Sequence, residues 1–249
     1  MAFQGRLQGK MKINTLLLKD PWISPHIPKT EWLSEESLRA MLQQYETVYV
    51  KPNKGNKGIG IFRVRKINSK KCEIQSSMNV EVKIVSLQKA FSFLNKHIER
   101  DRYYIVQQGI EMAQLEGRPY DIRIMMHKPF DHWQLSGWVV RLSKRDMIVT
   151  NMHRGGESIS IDRALKGNNW DAAQIAGDLS NLAHLVSNVL DNYYELRELG
   201  IDLAVDNKGK VWFIEANTGP GFRQMFKAVS RPMYRRVLYT HKFIVKKYS

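Results

Sequence analysis

The sequence predicts an α+β fold in which two β-rich lobes with packed helices enclose a cleft. Two observations carry that expectation. Residues 47–110 hold short β-branched runs broken by a glycine-rich hairpin, and residues 111–249 hold a β-meander, a long helical stretch and a final hairpin. The chain has 249 residues and 43% apolar content, enough to fill one large core or two smaller ones. The expected organisation is a helical segment over 1–46 leading into the first lobe, a small lobe over 47–110, and a large lobe over 111–249 that ends in a basic tail.

Each element has its own signal. "GKMKINTLLLKD" has helical apolar spacing and stops at Pro21, and the prolines of "PWISPHIPKTEW" predict an extended connector. Ser34 followed by Glu35 and Glu36 is an N-cap signature, with Leu38, Met41, Leu42 and Tyr45 recurring at helical intervals. "TVYVKP" reads as a strand, "NKGNKGIG" as a glycine-rich hairpin tip and "IFRVRK" as the returning strand. "KCEIQSS" and "VEVKIVS" alternate as strands, Ser86 caps a helix carrying Leu87, Ala90, Phe91, Leu94 and Ile98, and "YYIVQQGI" is a further strand.

The second half predicts a meander of "PYDIRIMMH", "HWQLSGWVVRLS" and "MIVTNMH". A helix from about Asp171 to Glu198 follows, with Gly200 as its stop. "IDLAVDNKGKVWFIEAN" is a hairpin turning at Asn207 to Gly209, and the tail is basic and helical.

Composition narrows the partners. Lys and Arg number 39 against 24 Asp and Glu, a net charge of +15, so the surface favours phosphate-bearing or carboxylate-rich molecules. The single cysteine, Cys72, excludes intrachain disulfides and a Cys-based zinc site, and points to a reducing, cytoplasmic compartment and a structural burial. "INTLLL" is too short for a signal-peptide core, and no window approaches the roughly eighteen apolar residues of a membrane span. The basic and aromatic residues form no recognised nucleic-acid module, so nucleic acid is not the expected partner. Trp133, Trp138, Trp170 and Trp212 are expected in core or interface positions.

Two constellations carry chemistry. Asp202 and Glu215 fall at the same end of the last hairpin, and Glu215 and Asn217, two apart, share a face. Two carboxylates and a carboxamide are hard oxygen donors suited to Mg²⁺, whose octahedron is completed by water and phosphate. Singly, Asp202 and Glu215 would be solvated turn carboxylates. The other half is "KPNKGNKGIG": glycines let a hairpin tip close over an anion, and Lys51 offers a point charge to phosphate. The order is neither Walker A nor Rossmann. Together with the strand "IVQQGI" passing an adenine edge, these features describe an ATP cleft between two lobes.

"IDLAVDNKGKVWFIEANTGPG" and "YVKPNKGNKGIGI" resemble the metal-binding hairpin and lid strand of the ATP-grasp superfamily, and "HIPKTEWLS", "YVKP" and "TNMHRGGE" resemble its YheC/YheD group, associated with endospore coats. The resemblance implies ATP and Mg²⁺, two ions, with Asp202, Glu215 and Asn217 as metal ligands. It gives Lys51 the α and β phosphates, Lys10 the place of the second phosphate lysine with Lys12 as its rival, and Gln107, Gln108 and Ile110 the adenine hinge. Asp121 falls near the ribose, Asn151 matches a nucleotide-site position, Gly55, Gly58 and Gly60 form the lid, and the N–H of Gly221 becomes an oxyanion donor.

The pattern also departs from the superfamily. Val149 and Gly200 stand where related ligases carry arginine, leaving Arg123, Arg141 and Arg154 as substitutes, with Arg141 and Arg154 expected at the oxyanion. His153 is read as a substrate-side donor or loop residue. The implied activity is a carboxylate–amine ligase working through an acyl phosphate on an unidentified carboxylate and amine, with an acidic peptide or spore-surface polymer as candidate partner. The alternative is a non-catalytic ATP-binding coat protein.

Overall fold

The computed structural model describes residues 4–55, 58–150, 155–166, 168 and 170–249. In chain order the helices are α1 (Lys10–Leu17), α2 (Glu35–Gln44), α3 (Ala90–His97), α4 (Ile161–Leu165), α5 (Ala172–Tyr194), α6 (Arg223–Val229) and α7 (Arg231–Tyr248). The strands are β1 (Thr30–Trp32), β2 (Thr47–Pro52), β3 (Phe62–Lys66), β4 (Lys71–Ser76), β5 (Val82–Ser86), β6 (Tyr104–Gln108), β7 (Gln114–Leu115), β8 (Arg118–His127), β9 (Gln134–Leu142), β10 (Glu157–Ile159), β11 (Glu198–Val205) and β12 (Val211–Asn217). They form two antiparallel sheets, ordered β1-β6-β2-β3-β4-β5 and β10-β9-β8-β11-β12, with β7 attached to β8. The expected α+β architecture of two β-rich lobes is the observed one.

The N-terminal segment serves both lobes. Ile13 and Leu17 of α1 join the large-lobe core with Leu179, Leu182 and Val186 of α5, whereas β1 extends the small-lobe sheet. Leu38, Met41 and Leu42 of α2 pack on Val48, Val50 and Val64 of that sheet. Ser34 caps α2 as its sequence predicts, accepting from Ser37 N at 3.0 Å while Ser37 Oγ accepts from Ser34 N at 2.9 Å. The proline-rich connector holds more structure than an extended link: a 3₁₀ turn at Ser24–His26 precedes β1.

Alternation along β8 divides the large-lobe sheet. Tyr120, Ile122, Ile124 and Met126 face the α5 side and are fully buried there, while Asp121, Arg123, Met125 and His127 face the other way. The second face is shared between two tenants. Its far end lies under α6 and α7, where Met125 and Val139 meet Phe222, Phe226 and Val237. Gly137 permits that approach: a Cβ there would sit 2.8 Å from the side chains of Met233 and Phe226. The near end stays open and carries Asp121 and Arg123.

Three expectations are corrected. The long helix starts at its Asp171 cap, as expected, but stops at Tyr194, where Glu195 takes the left-handed conformation (φ 50°). Gly200 is therefore not a helix stop but a strand residue of β11, because Asp191 and Gln4 accept the N–H groups of Leu196, Arg197 and Glu198 and turn the chain into the sheet. The described part of "MIVTNMH" is not a strand; the third meander strand is β10, paired to β9 through Glu157↔Leu142. Ser86 makes no side-chain cap, and a 3₁₀ turn at Leu87–Lys89 leads into α3. Cys72 is buried as expected, and burial pushes its thiol up to about 11. Among the described residues no helix is long and apolar enough to cross a membrane.

A buried polar cluster pins α7 to the sheet. Glu198, 1% exposed, accepts from His127 at 2.9 Å and from His241 of α7 at 2.6 Å, while His127 Nδ1 meets Ser136 Oγ at 2.7 Å. Burial pushes the Glu198 carboxyl upward, but hydrogen bonds and charge from His127 and His241 more than offset this and leave it below its ordinary value. A depressed carboxylate contributes stability that is complete above its unfolded-state pKa and is lost as pH falls through the folded value. Urea unfolding should therefore show Glu198→Leu less stable by about 3 kcal/mol at neutral pH, with a shallower loss between neutral and acid conditions than the wild-type chain.

Candidate active site

A cleft lies between the sheets, lined by Lys10, Tyr49, Lys51, Gln107, Asp121, Arg141, Asp202 and Glu215 together with apolar residues. Its floor is an alternating lattice of charge. Arg141 of β9 donates to both Asp121 oxygens, Nε at 2.7 Å and Nη2 at 2.6 Å, and Nη2 also reaches Asp202 Oδ2 at 2.9 Å. Arg123 of β8 takes Asp202 of β11 in a fork, with Nη2 2.9 Å from Oδ2 and Nε on Oδ1. Thr150 Oγ1 donates to Asp121 Oδ2 at 2.6 Å.

The register places these groups, since Asp202 stands opposite Arg123, and Asp121 opposite Arg141. All four side chains are buried. Burial drives the Asp202 carboxyl up, and the guanidiniums of Arg123 and Arg141 reverse this, holding it below the usual carboxylate value. For Arg141, burial favours loss of the proton, yet Asp121 and Asp202 hold its guanidinium more firmly charged than usual.

Two lysines face this floor. Lys51, at the end of β2, donates to Gln107 Oε1 at 2.7 Å and lies 5.3 Å from the Tyr49 ring centre. Burial lowers its ammonium to about 8, a shift that Glu215 opposes and Lys10 reinforces. Lys10 Nζ is 3.3 Å from Glu215 Oε1 and donates to the Gly55 carbonyl at 3.3 Å. It is held there because its own N–H donates to Asn53 O (3.0 Å) and that of Met11 to Asn53 Oδ1 (2.9 Å). Lys12 turns away to Gln8, so of the two rivals it is Lys10 that enters the cleft.

Glu215 is paired in register with Asp202 across β11 and β12, and Asn217 with Gly200. Glu215 faces the cleft; Asn217, half-buried at the end of β12, lies beyond the lining residues. Asp202 already accepts three charge-assisted bonds from arginine. Among the described residues no three His, Cys, Asp or Glu side chains gather into a metal-binding group. The donors nevertheless fit Mg²⁺, which is satisfied by one or two carboxylates and completes its shell with water and phosphate. Glu215 and Asn217 are the donors without an arginine on them among the contacts described.

The residues expected at the adenine hinge line the same cleft. Gln107 bridges Lys51 and Thr30, Gln108 accepts from Lys29 N at 3.2 Å, and Ile110 adds an apolar wall. Gly109 between them is fixed by crowding, since a Cβ would fall 2.7 Å from the Thr47 carbonyl. Gly58 and Gly60 have positive φ (68° and 72°), which glycine adopts without strain. Gly221 is exposed, and its carbonyl accepts from Arg123 Nη1 at 3.4 Å.

Gly200 has a steric explanation. A side chain there would begin 2.4 Å from Pro220 Cβ and 3.4 Å from Arg123 Cδ, so the guanidinium beside this strand comes from β8 instead. Asn151, His153 and Arg154 lie outside the described residues. The sequence reading missed the walls formed by Tyr49, Ile61, Met112, Ile148, Thr150 and Ile214. Only the placement of Ile61 and Ile214 beside the lid glycines and Glu215 signals them in the sequence.

The chain is 28% identical over 220 residues to the endospore coat-associated protein YheD of Bacillus subtilis (strain 168), covering 86% of this chain and 48% of that protein. It is 24% identical over 224 residues to YheC of the same organism, covering 88% and 61% respectively. The chain thus spans about half to three fifths of these relatives. Its fold is similar to that of the ATP-grasp ligase PsnB, solved with a minimal precursor, Mg and ADP, at TM-score 0.54 and 11% identity over 96% of this chain and 59% of that one. Residues 1–243 match the YheC/D like ATP-grasp family, and the chain belongs to that family.

Proposed function

We propose that the chain is an ATP- and Mg²⁺-dependent carboxylate–amine ligase. The observation that carries this reading is the convergence of Lys10 and Lys51, from different elements, over a floor bearing Asp202 and Glu215. Lys51 would bind the α and β phosphates and Lys10 the more distal ones, while Ile61, Met112, Ile148 and Ile214 hold the base against the Gln107–Ile110 hinge. Asp121 and Asn151 would serve the ribose and phosphate side. Asp202, Glu215 and Asn217 would hold Mg²⁺, one ion or two, which supplies neutralisation of charge as the terminal phosphoryl group departs. Lys10, Lys51, Arg123 and Arg141 against Asp121, Asp202 and Glu215 leave a single positive charge, far short of a triphosphate's, which supports the need for a divalent cation.

In the reaction, an oxygen of the substrate carboxylate would bond to the terminal phosphorus of ATP as the P–O bond to the rest of the nucleotide breaks, giving an acyl phosphate and ADP. An amine then attacks the acyl carbon, an amide bond forms and phosphate leaves. Gly55, Gly58 and Gly60 let the lid close and exclude the water that would hydrolyse the intermediate. The N–H of Gly221 and an arginine, Arg123, Arg141 or Arg154, would stabilise the tetrahedral oxyanion, each donor worth about 3 to 4 kcal/mol in the barrier. The +15 surface would draw an acidic peptide or a spore-surface polymer to the cleft, in keeping with the coat association of the relatives YheD and YheC.

A second reading, a non-catalytic ATP-binding coat protein, is favoured by one observation: Arg123 and Arg141 are both committed to carboxylates in the floor. Phosphate release from ATP, screened over amino acids and acidic peptides, separates the two: amine-dependent release supports the ligase, and ATP binding without turnover supports the scaffold. Lys51→Ala should weaken nucleotide binding by about 1.5 to 3 kcal/mol, the range for a hydrogen bond to a charged group, and calorimetry showing unchanged affinity would remove Lys51 from the site. Glu215→Gln should abolish turnover while leaving the unfolding midpoint near wild type, and retained turnover would refute its role.

A further inference from the structure

We propose that β5, the outer strand of the small-lobe sheet, is a self-pairing edge through which two copies of this chain associate in antiparallel register about Val82. Among the described residues β5 is paired to β4 on one side only, which leaves its other backbone edge open. The ladder tells which residues face outward. Leu87 N donates to Lys70 O at 2.9 Å, making Lys70 and Leu87 a hydrogen-bonded pair. Antiparallel alternation then makes Cys72↔Val85 and Ile74↔Lys83 hydrogen-bonded pairs, and Glu73↔Ile84 and Gln75↔Val82 the others. Val82 and Ile84 therefore point their N–H and C=O groups away from β4.

The side chains of this edge are equally unprotected. Val80, Val82 and Ile84 are 55%, 41% and 64% exposed, and Val82 lies in one cross-strand row with Gln75, Arg63 and the cleft residue Tyr49. Edge strands are ordinarily guarded by charge, proline or a bulge. The charge present, Lys83, is opposite Ile74 on the other face and is ion-paired with Glu81.

The sequence of the edge selects its partner. "VEVKI", in which Val80 and Glu81 lead into β5 and Val82 to Ile84 lie within it, is symmetric in polarity about Val82 and antisymmetric in charge. With a two-fold axis at Val82, each Val80 meets the other copy's Ile84, the two Val82 residues meet, and Glu81 meets Lys83 twice. The Val82 pair then falls at a hydrogen-bonded position, and the Glu81–Lys83 pairs at non-hydrogen-bonded positions, where opposed Cα atoms are about 4.5 Å apart and side chains approach most closely. Centring on Lys83 would oppose like charges, and centring on Ile84 would oppose Lys83 to Val85. One register satisfies both backbone and charge, and the strand that provides it is a second copy. The two six-stranded sheets would run on as one.

Sedimentation equilibrium of the chain over two decades of concentration tests this. The expected result is a reversible monomer–dimer equilibrium for the wild type. Its dissociation constant should rise at least about tenfold in Glu81→Lys and in Lys83→Glu, each of which opposes like charges twice, and be restored in the double variant. The two single variants, mixed, should form a heterodimer that neither forms alone. All three variants should keep the wild-type thermal midpoint, so that the effect is read on association and not on folding. A wild-type chain monomeric throughout, or single variants that dimerise as well as wild type, would overturn the proposal.

Discussion

The buried lattice Asp121–Arg141–Asp202–Arg123 is the constraint on which the rest of the site depends. Two carboxylates and two guanidiniums alternate across β9, β8 and β11, so each charge is neutralised by a neighbouring strand. Removing one member would strand a buried charge, a loss of about 3 to 5 kcal/mol. The lattice therefore helps the apolar core fix strand register, because a slip of one residue in any of these strands would turn its members of the lattice to the other face. Glu215 inherits its position from this arrangement, since it is paired with Asp202 across the final hairpin.

The same strand alternation explains how one sheet face serves two purposes. Polar residues recur along β8 at 121, 123 and 127, but α6 and α7 cover only the far end. There His127 is held by Glu198 and Ser136, and Glu198 in turn is held by His241. At the near end Asp121 lines the cleft, and Arg123 lies buried beside it on Asp202. Lys10 closes the connection between lobes, touching the lid carbonyl of Gly55 and the carboxylate of Glu215 at once.

Much of this was legible in the letters. Glu215 and Asn217, two apart on a strand, the Ser34 cap and the start of the long helix at Asp171 follow from local rules that tertiary structure did not override. Gly200 misled because a glycine after a helical run imitates a stop, while the true stop uses Glu195 in an unusual conformation, supported by Gln4 from the far end of the chain. "MIV" looks like a strand but lends Ile148 and Val149 to the cleft wall. The choice between Lys10 and Lys12 lay in Asn53, forty-odd residues away, and helix phase alone could not make it. Arg123 and Arg141 could be named as available arginines; their commitment to Asp121 and Asp202 depends on inter-strand register, which no single segment encodes.

The central claim is that a magnesium nucleotide lies between the two lobes above this lattice. A crystal structure with Mg²⁺ and a non-hydrolysable ATP analogue tests it most directly. The account predicts phosphates between Lys10 and Lys51, Mg²⁺ on Asp202, Glu215 and Asn217, and the Arg141–Asp121 pair intact beneath. A nucleotide bound elsewhere, or a cleft whose lysines both turn from the phosphates, would contradict it.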